Sequence, residues 1–363
     1  MAAPSLLERI GVRLPIIQAP MAGVSTPAMA AAVSEAGGLG SIAVGATDAV
    51  GAEAMIAEVR GRTARAFNVN LFCHRPARSD AAIEARWIER FRPQFAEFGA
   101  EPPNVLTEIY RSFVEDEAML DLLLVARPPV VSFHFGLPRE EWINSLRDAE
   151  ILLLSTATNL SEARAGATAG IDAIVAQGWE AGGHRGTFDP DGPDERLPAF
   201  ELVRLISSEL DTPVIAAGGI MDGAGIARAL DAGASAAQLG TAFIACDESM
   251  ADEGFRAALA SSAAHQTEMT RAISGRPARC LANRFTALGA DIPASDIPAY
   301  PIAYDLGKAL NAAAKSRGEY GFGAQWAGKG APRFRPMPAG QLVETLAAEL
   351  YQPNISFEGN CHE

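Results

Sequence analysis

Eight short runs of apolar residues recur along the chain, each followed closely by glycine, proline or asparagine and, in most cases, by a stretch with helical spacing of apolar positions. They occupy residues 15–23, 39–45, 66–72, 129–136, 151–159, 171–178, 212–219 and 235–243. Runs that are apolar on both faces are typical of parallel strands covered by helices. Eight such units predict a closed (β/α)8 TIM barrel, with a doubly wound open sheet as the alternative.

Two intervals are longer than a single crossover requires. Residues 73–128 contain the amphipathic patterns AAIEARWIERFRPQFAEFG and VLTEIYRSFVEDEAMLDLLLVA, which predict two inserted helices. The helical patterns within residues 246–335 predict a mainly helical cap over the barrel mouth. We therefore expect the barrel within 1–245, the cap over 246–335, and a final segment, 336–363, whose helix over 339–351 returns to the barrel.

Composition excludes several classes of function. The chain has 44 acidic against 30 basic residues and a net charge of −14, which argues against a nucleic-acid partner. No apolar run approaches the length of a membrane span, and no export signal is recognisable. We expect a cytoplasmic monomer or homodimer without a metal site or disulfides, because the cysteines are widely separated: Cys73, Cys246, Cys280 and Cys361.

Polar or glycine residues stand at the carboxyl ends of the predicted strands, where TIM barrels build their sites. They are Asn70, His134, Gln177, Gly218 and Gln238. Beyond Gln177, the stretch AQGWEAGGHRG (176–186) offers three glycines and then His184, which indicates a tight loop carrying a proton acceptor. A strand-to-helix turn with a solvated histidine would have a similar sequence.

The last two strand ends predict an anion site. The motifs IAAGG and QLGTAF provide small residues, exposed N–H groups and the Thr241 hydroxyl, a combination suited to a phosphate. The amides of Asn70 and Gln177 would suit the ring of flavin mononucleotide (FMN), although a sugar phosphate would also fit. Met21 is suited either to packing on such a ring or to the core.

A third group of candidates lies in the predicted cap. Tyr300, Tyr304 and Lys308 are spaced at four residues and would share one face of a helix. They predict either a substrate entrance or an ordinary solvated face.

Taken together, QAPMAG, FNVNLF, SFHFG, AQGWEAGGHRG, PVIAAGGI, QLGTAF, SGRPARCLANRF and AYPIAYDLGK closely resemble the class I nitronate monooxygenases. The resemblance implies FMN, no metal, and His184 as the catalytic histidine with His134 beside it in the substrate pocket. It implies that Tyr110, Tyr300, Tyr304 and Lys308 frame the entrance. It also implies FMN contacts from Met21, Asn70, Gln177, Gly182, Gly218, Gly219, Gln238, Leu239, Gly240 and Thr241.

The activity implied by this resemblance is oxidation of alkyl nitronates, notably propionate 3-nitronate, by O2 through a flavin semiquinone, giving a carbonyl compound and nitrite. Three other functions remain open on the sequence. One is an NAD(P)H-dependent FMN reductase acting on quinones or enoyl thioesters. The others are a sugar-phosphate isomerase or aldolase and a non-catalytic binding protein.

Overall fold

The computed structural model describes residues 4–351. The strands are β1 (Ile16–Gln18), β2 (Gly40–Ala43), β3 (Phe67–Phe72), β4 (Val130–His134), β5 (Leu152–Ala157), β6 (Ala173–Gln177), β7 (Gly183–His184), β8 (Val214–Ala217), β9 (Ala236–Leu239), β10 (Thr267–Thr270) and β11 (Ala278–Leu281). The α-helices are α1 (Leu6–Ile10), α2 (Pro27–Glu35), α3 (Ala49–Arg62), α4 (Ala81–Glu97), α5 (Glu117–Ala126), α6 (Glu140–Asp148), α7 (Leu160–Thr168), α8 (Ala199–Glu209), α9 (Gly223–Asp231), α10 (Glu253–Leu259), α11 (Arg284–Gly289), α12 (Ile302–Lys315) and α13 (Ala339–Tyr351).

Eight parallel strands form the barrel in the order β1-β9-β8-β6-β5-β4-β3-β2. The first and last strands of this order meet where the N–H of Gln18 donates to the carbonyl of Leu39 and the N–H of Leu39 donates to Ile16, both at 2.9 Å. These bonds close the sheet, so the predicted TIM barrel is confirmed rather than the open sheet. Each predicted run contains one barrel strand.

Burial explains why these runs become strands. Strands β1, β2, β3 and β6 are buried at every position, which suits residues that face the barrel interior on one side and helices on the other. Side-chain caps set several helix starts, including those by Asp48 at α3, Asn159 at α7 and Asp222 at α9. The polar caps therefore fix where each crossover turns back onto the sheet.

The interval 73–128 differs from its prediction in its second half. Helix α4 packs against α12 in the cap, whereas α5 packs against α3 and α6 and serves as the crossover helix between β3 and β4. Residues 105–116 were predicted as helix but are irregular apart from a 3₁₀ turn at Phe113–Glu115. Asp116 caps α5 through the N–H of Met119, and this cap begins the helix later than the apolar pattern suggested.

The cap contains strands that the helical prediction missed. Strands β10, β11 and β7 form an antiparallel sheet in which β11 is central. Strand β7 has two residues and no readable periodicity, so it exists only through its pairing with β11. Helix α13 packs against α2 and α9 of the barrel. Within residues 4–351, no helix is long and apolar enough to cross a bilayer.

Candidate active site

A cavity of about 410 Å³ lies at the carboxyl ends of the barrel strands, beneath the cap. Most of the predicted site residues line it: Met21, Asn70, Tyr110, His134, Gln177, Gly182, His184, Gly218, Gly219, Gln238, Gly240, Thr241, Tyr300, Tyr304 and Lys308. Leu239 does not, because its side chain is buried in the core between strands and helices. The predicted residues thus meet in one place although they come from opposite ends of the chain.

The backbone of His184 is held by three elements. It pairs with Ala278 of β11, and its carbonyl accepts hydrogen bonds from Gln177 Nε2 at 3.0 Å and His134 Nε2 at 3.3 Å. The other end of the Gln177 amide, Oε1, accepts from the N–H of Gly186 at 2.8 Å. Gln177 lines the cavity, but its polar atoms are engaged in holding the loop.

Two buried ionic side chains complete the support of this loop. Arg185, only 1% exposed, pairs with Asp194 through two bonds of 2.8 and 2.9 Å and donates to the carbonyl of Gln177. The carboxylate of Glu162 accepts from the N–H of Phe188 at 2.7 Å and from the Thr187 hydroxyl at 3.0 Å. Residues 185–188 are therefore held by bonds to Asp194, to the end of β6 and to Glu162 in α7.

The imidazole of His184 is bonded on one side and open on the other. Its Nε2 lies 2.9 Å from Ser274 Oγ, and the Ser274 hydroxyl lies 3.3 Å from the carbonyl of Arg276, to which it can donate. With that proton so directed, Oγ accepts from Nε2–H, and the Nδ1 lone pair of His184 is left free. Nδ1 bonds no residue in 4–351 and is not an enclosed atom, so it is available to a ligand.

Aromatic rings surround this imidazole. The ring centroids of Trp326, Tyr300, Phe135 and Tyr304 lie 5.0, 5.3, 5.6 and 6.2 Å from that of His184. Removal from water, together with the positive charge of Arg276, holds the pKa of His184 well below its usual range. The residue is therefore neutral at physiological pH and able to accept a proton.

His134 is also neutral but is engaged on both sides. Its Nε2 donates to the His184 carbonyl, and its Nδ1 accepts from the Thr156 hydroxyl at 2.9 Å. Burial and the nearby Arg276 lower its pKa to about 3. Because both ring nitrogens are bonded within the protein, His134 orients the His184 loop and offers the cavity only the carbon edge of its ring.

The predicted anion site has the features of a phosphate cradle. Gly218 and Gly219 have φ of 128° and 69°, in the left-handed region that favours glycine. Within residues 4–351, the N–H groups of Gly218, Gly219 and Thr241 have no protein acceptor. The Thr241 hydroxyl accepts from the N–H of Gly328 at 3.0 Å, which leaves its own proton free to donate.

The remaining predicted cofactor residues bring both polar and apolar groups. Asn70 accepts from Ser132 at 2.8 Å through Oδ1, which turns its amide nitrogen toward the cavity. The side chain of Gln238 forms no hydrogen bond with residues 4–351, and Gln238 lines the same space. The sulfur of Met21 approaches Gly240, where a Cβ would lie 3.6 Å from it. At Gly182 a Cβ would lie 2.4 Å from the backbone nitrogen of Gly328, so only glycine fits there.

The cavity mouth is formed by tyrosines and one cation. Lys308 Nζ lies 4.6 Å from the Tyr110 ring centroid and 5.5 Å from that of Tyr304. It forms no ion pair within residues 4–351, because the nearby Asp305 accepts from the N–H and hydroxyl of Thr107 instead. Tyr304 and Lys308 share a face of α12 as predicted, whereas Tyr300 precedes the helix.

Sequence reasoning overlooked four residues near His184: Phe135, Ser274, Arg276 and Trp326. Phe135 lies within the motif that gave His134, and its φ of 77° is unusual for an aromatic residue. Ser274 and Arg276 occur in SGRPARC, a motif quoted above without a role for its polar residues. Ser274 and Arg276 flank Gly275 in a segment without hydrophobic periodicity, so only the fold connects these two residues to His184.

The chain was also compared with known proteins. The family model described as Nitronate monooxygenase matches residues 3–349. A nitronate monooxygenase of Paraburkholderia phytofirmans is 60% identical over 349 residues, covering 96% of this chain and 95% of that protein. A nitronate monooxygenase of Pseudomonas aeruginosa is 52% identical over 343 residues, covering 94% and 97%.

Solved structures agree with this assignment. The nitroalkane oxidase of Streptomyces ansochromogenes superposes with a TM-score of 0.86 at 45% identity, covering 93% of this chain and 96% of that chain. FabK of Thermotoga maritima is more distant, with a TM-score of 0.72 at 27% identity and 96% of each chain covered. The protein is thus an enzyme, and the chain belongs to the nitronate monooxygenase family.

Proposed function

We propose that the protein is an FMN-dependent monooxygenase that oxidises alkyl nitronates, propionate 3-nitronate among them, with O2 to a carbonyl compound and nitrite. The observation that carries this proposal is the placement of a neutral His184, with Nδ1 open, in the same cavity as an anion cradle and as Lys308, which forms no ion pair within residues 4–351. His184 would accept a proton, the anion cradle would bind a phosphate, and the lysine would attract an anionic substrate.

The residues present fit FMN. The free N–H groups of Gly218, Gly219 and Thr241 would hold its phosphate, and the Asn70 and Gln238 amides and the Met21 thioether would meet its ring. A side chain at Gly219 would strain a left-handed backbone and press on Glu180. When bound, FMN supplies the electron transfer between substrate and oxygen.

His184 distinguishes two kinds of substrate. A neutral nitroalkane must lose its α-proton, which Nδ1 of His184 accepts; the resulting Nδ1–H then donates to a nitronate oxygen. A nitronate is already deprotonated at carbon and needs no base. The aromatic rings around His184 give this part of the cavity an apolar wall suited to a small alkyl chain.

Lys308 favours nitronates that carry a carboxylate. Its ammonium group lies at the mouth against two tyrosine rings, without a carboxylate partner in residues 4–351. A substrate with its nitronate end near His184 would direct a carboxylate at its other end toward this charge.

An anaerobic experiment tests the proposal. The purified protein is mixed in one cell with propionate 3-nitronate and in another with NADH, and the flavin absorbance is followed. A spectral change with the nitronate alone is expected. Bleaching by NADH with no response to the nitronate would instead favour an NAD(P)H-dependent reductase, and a protein that is colourless and takes up no FMN would contradict both.

A further inference from the structure

Arg276 is a buried cation close to the active site that has no carboxylate partner. Its side chain is only 2% exposed and forms no ion pair with any residue in 4–351. Instead, its guanidinium donates to the carbonyl of Thr187 and, at 3.5 Å, to that of Arg185. Both carbonyls belong to the loop that carries His184. Such an uncompensated charge is costly to bury, which is typical of groups kept for function.

The guanidinium lies behind the cavity wall. It stacks 4.1 Å from the ring centroid of Phe135, and Phe135 itself lines the cavity with its ring 5.6 Å from that of His184. Phe135 lines the cavity and Arg276 does not, although the guanidinium stacks on the Phe135 ring. Arg276 therefore cannot touch a ligand, but its charge acts across one aromatic ring.

Within residues 4–351, no carboxylate is among the charges that act on His184. The titratable or charged groups around the imidazole are Arg185 beside it, His134 on β4, His74 after β3, Tyr110 before α5, and Tyr300, Tyr304 and Lys308 in and before α12. None of them is a carboxylate. The acids that act on Arg276, Glu162 and Asp191, are bonded to other groups: Glu162 accepts from the N–H of Phe188, and Asp191 accepts from the Arg271 guanidinium.

We propose that Arg276 is a positioning residue whose buried charge keeps His184 in its neutral, proton-accepting form and attracts anionic nitronates into the cavity. The first effect follows because a cation in a water-poor site disfavours a second positive charge on the imidazole. The second follows because the same potential stabilises a negative charge at His184. The first effect stands on the structure alone, whereas the second rests on the proposed function.

Nitrogen NMR of the histidines tests the first effect without any substrate. The full-length protein, with the cofactor it carries, is labelled with 15N-histidine, and the His184 signal is assigned by its loss in H184N. In R276M and R276Q the titration midpoint of His184 should move upward by about one pH unit, while R276K, which keeps the charge, should resemble the wild type. The glutamine variant keeps a donor for the Thr187 carbonyl if the methionine variant folds poorly.

Arg279 provides a matched control. It is also buried, at 3% exposed, stacks on an aromatic ring 5.1 Å away and donates to a carbonyl, but its partner is Trp179. The R279M variant should leave the His184 midpoint unchanged. An unchanged midpoint in both R276M and R276Q, or an equal shift in R279M, would overturn the assignment.

Steady-state kinetics test the second effect. In R276Q the KM for ethylnitronate should rise roughly fivefold, while the KM for nitroethane, assayed near neutral pH where it keeps its α-proton, should change less than twofold. Equal changes in both KM values would refute attraction of the anion. If the wild type turns over neither compound, the proposed function fails, and the NMR result still decides whether Arg276 controls His184.

Discussion

Ser274 Oγ lies 2.9 Å from Nε2 of His184, although 90 residues separate the two in the chain. Ser274 is fully buried, and its hydroxyl also faces the carbonyl of Arg276. The serine thus selects the tautomer in which Nδ1 of His184 is the proton acceptor.

Replacing Ser274 by alanine should impair proton abstraction more than binding. The Nε2–H group would lose its partner, and the tautomer with the proton on Nδ1 would become accessible. We expect kcat with nitroethane to fall about tenfold and KM to change less than twofold, since a buried hydrogen bond is worth roughly 1 to 1.5 kcal/mol. An equal loss with propionate 3-nitronate would contradict this role.

Replacing His184 by asparagine should separate the two substrate classes. Without the base, turnover of nitroethane should fall by about 100-fold or more, whereas turnover of nitronates should fall roughly tenfold at most. Parallel assays of both substrates check this, with an asparagine variant of the exposed His265 as control. An equal loss of turnover for the two substrates would show that His184 does not act as the base.

Replacing Lys308 by methionine should weaken binding of acidic substrates. Because the side chain is exposed, solvent screens its charge, and we expect the KM for propionate 3-nitronate to rise only about three- to fivefold. The KM for ethylnitronate should stay constant, and the difference should shrink in high salt. The control is Lys315→Met, which removes the same charge from the far end of α12; a similar effect there would argue for a general charge effect.

Replacing His74 by phenylalanine should make the protein more resistant to acid. His74 is 1% exposed, neither ring nitrogen has a hydrogen-bond partner within residues 4–351, and burial with the charge of Arg276 lowers its pKa to about 4. At pH values below about 6.5, His74 is protonated in the unfolded chain but stays neutral in the folded protein until the pH approaches its lowered pKa. This residue therefore lowers the free energy of unfolding by about 1.4 kcal/mol per pH unit between those values.

Urea denaturation at pH 7 and pH 5 checks this expectation. The phenylalanine variant should match or slightly exceed the wild type at pH 7 and should exceed it by about 2 kcal/mol at pH 5. The same difference at both pH values would mean that packing, rather than proton uptake, causes the change.

Replacing Thr241 by valine should weaken FMN binding. The hydroxyl has one free proton for a phosphate oxygen, and its loss also leaves the N–H of Gly328 without its acceptor. We expect the Kd for FMN to rise roughly fivefold, measured by quenching of flavin fluorescence, and Thr241→Ser to bind nearly as well as the wild type. Unchanged affinity in the valine variant would place the phosphate elsewhere.

The barrel was predictable because its strands are apolar on both faces, and the rule that TIM-barrel sites lie at the carboxyl ends of the strands then brought Asn70, His134 and Gln177 to one cavity. The hydrogen-bond partner of each polar side chain was not predictable. Gln177 and His134 stand at strand ends as expected, but their nitrogens bond the carbonyl of His184. Those bonds depend on the path of the loop, which the pattern of residues does not describe.

The antiparallel sheet of the cap was missed for a related reason. Strand β7 is two residues long, and its partner β11 lies more than ninety residues later in the chain. Short strands of this kind form through pairing rather than through local preference. Ser274 and Arg276 precede β11. They come close to His184 because β11 pairs with β7, so without this sheet their contacts to the His184 side chain and its loop could not be predicted.

The pairing of His184 with Ala278 has a consequence for engineering the enzyme. In most TIM barrels, loops over the mouth can be exchanged while the chemistry stays with the strands. Here His184 belongs to the same hydrogen-bonded sheet as β10 and β11 of the cap, so a chimaera that imports a foreign cap would also shift the His184 side chain. With His184 as the proposed base, exchanging the cap would change substrate range and proton transfer together. Grafts should therefore carry residues 183–187 along with residues 267–281.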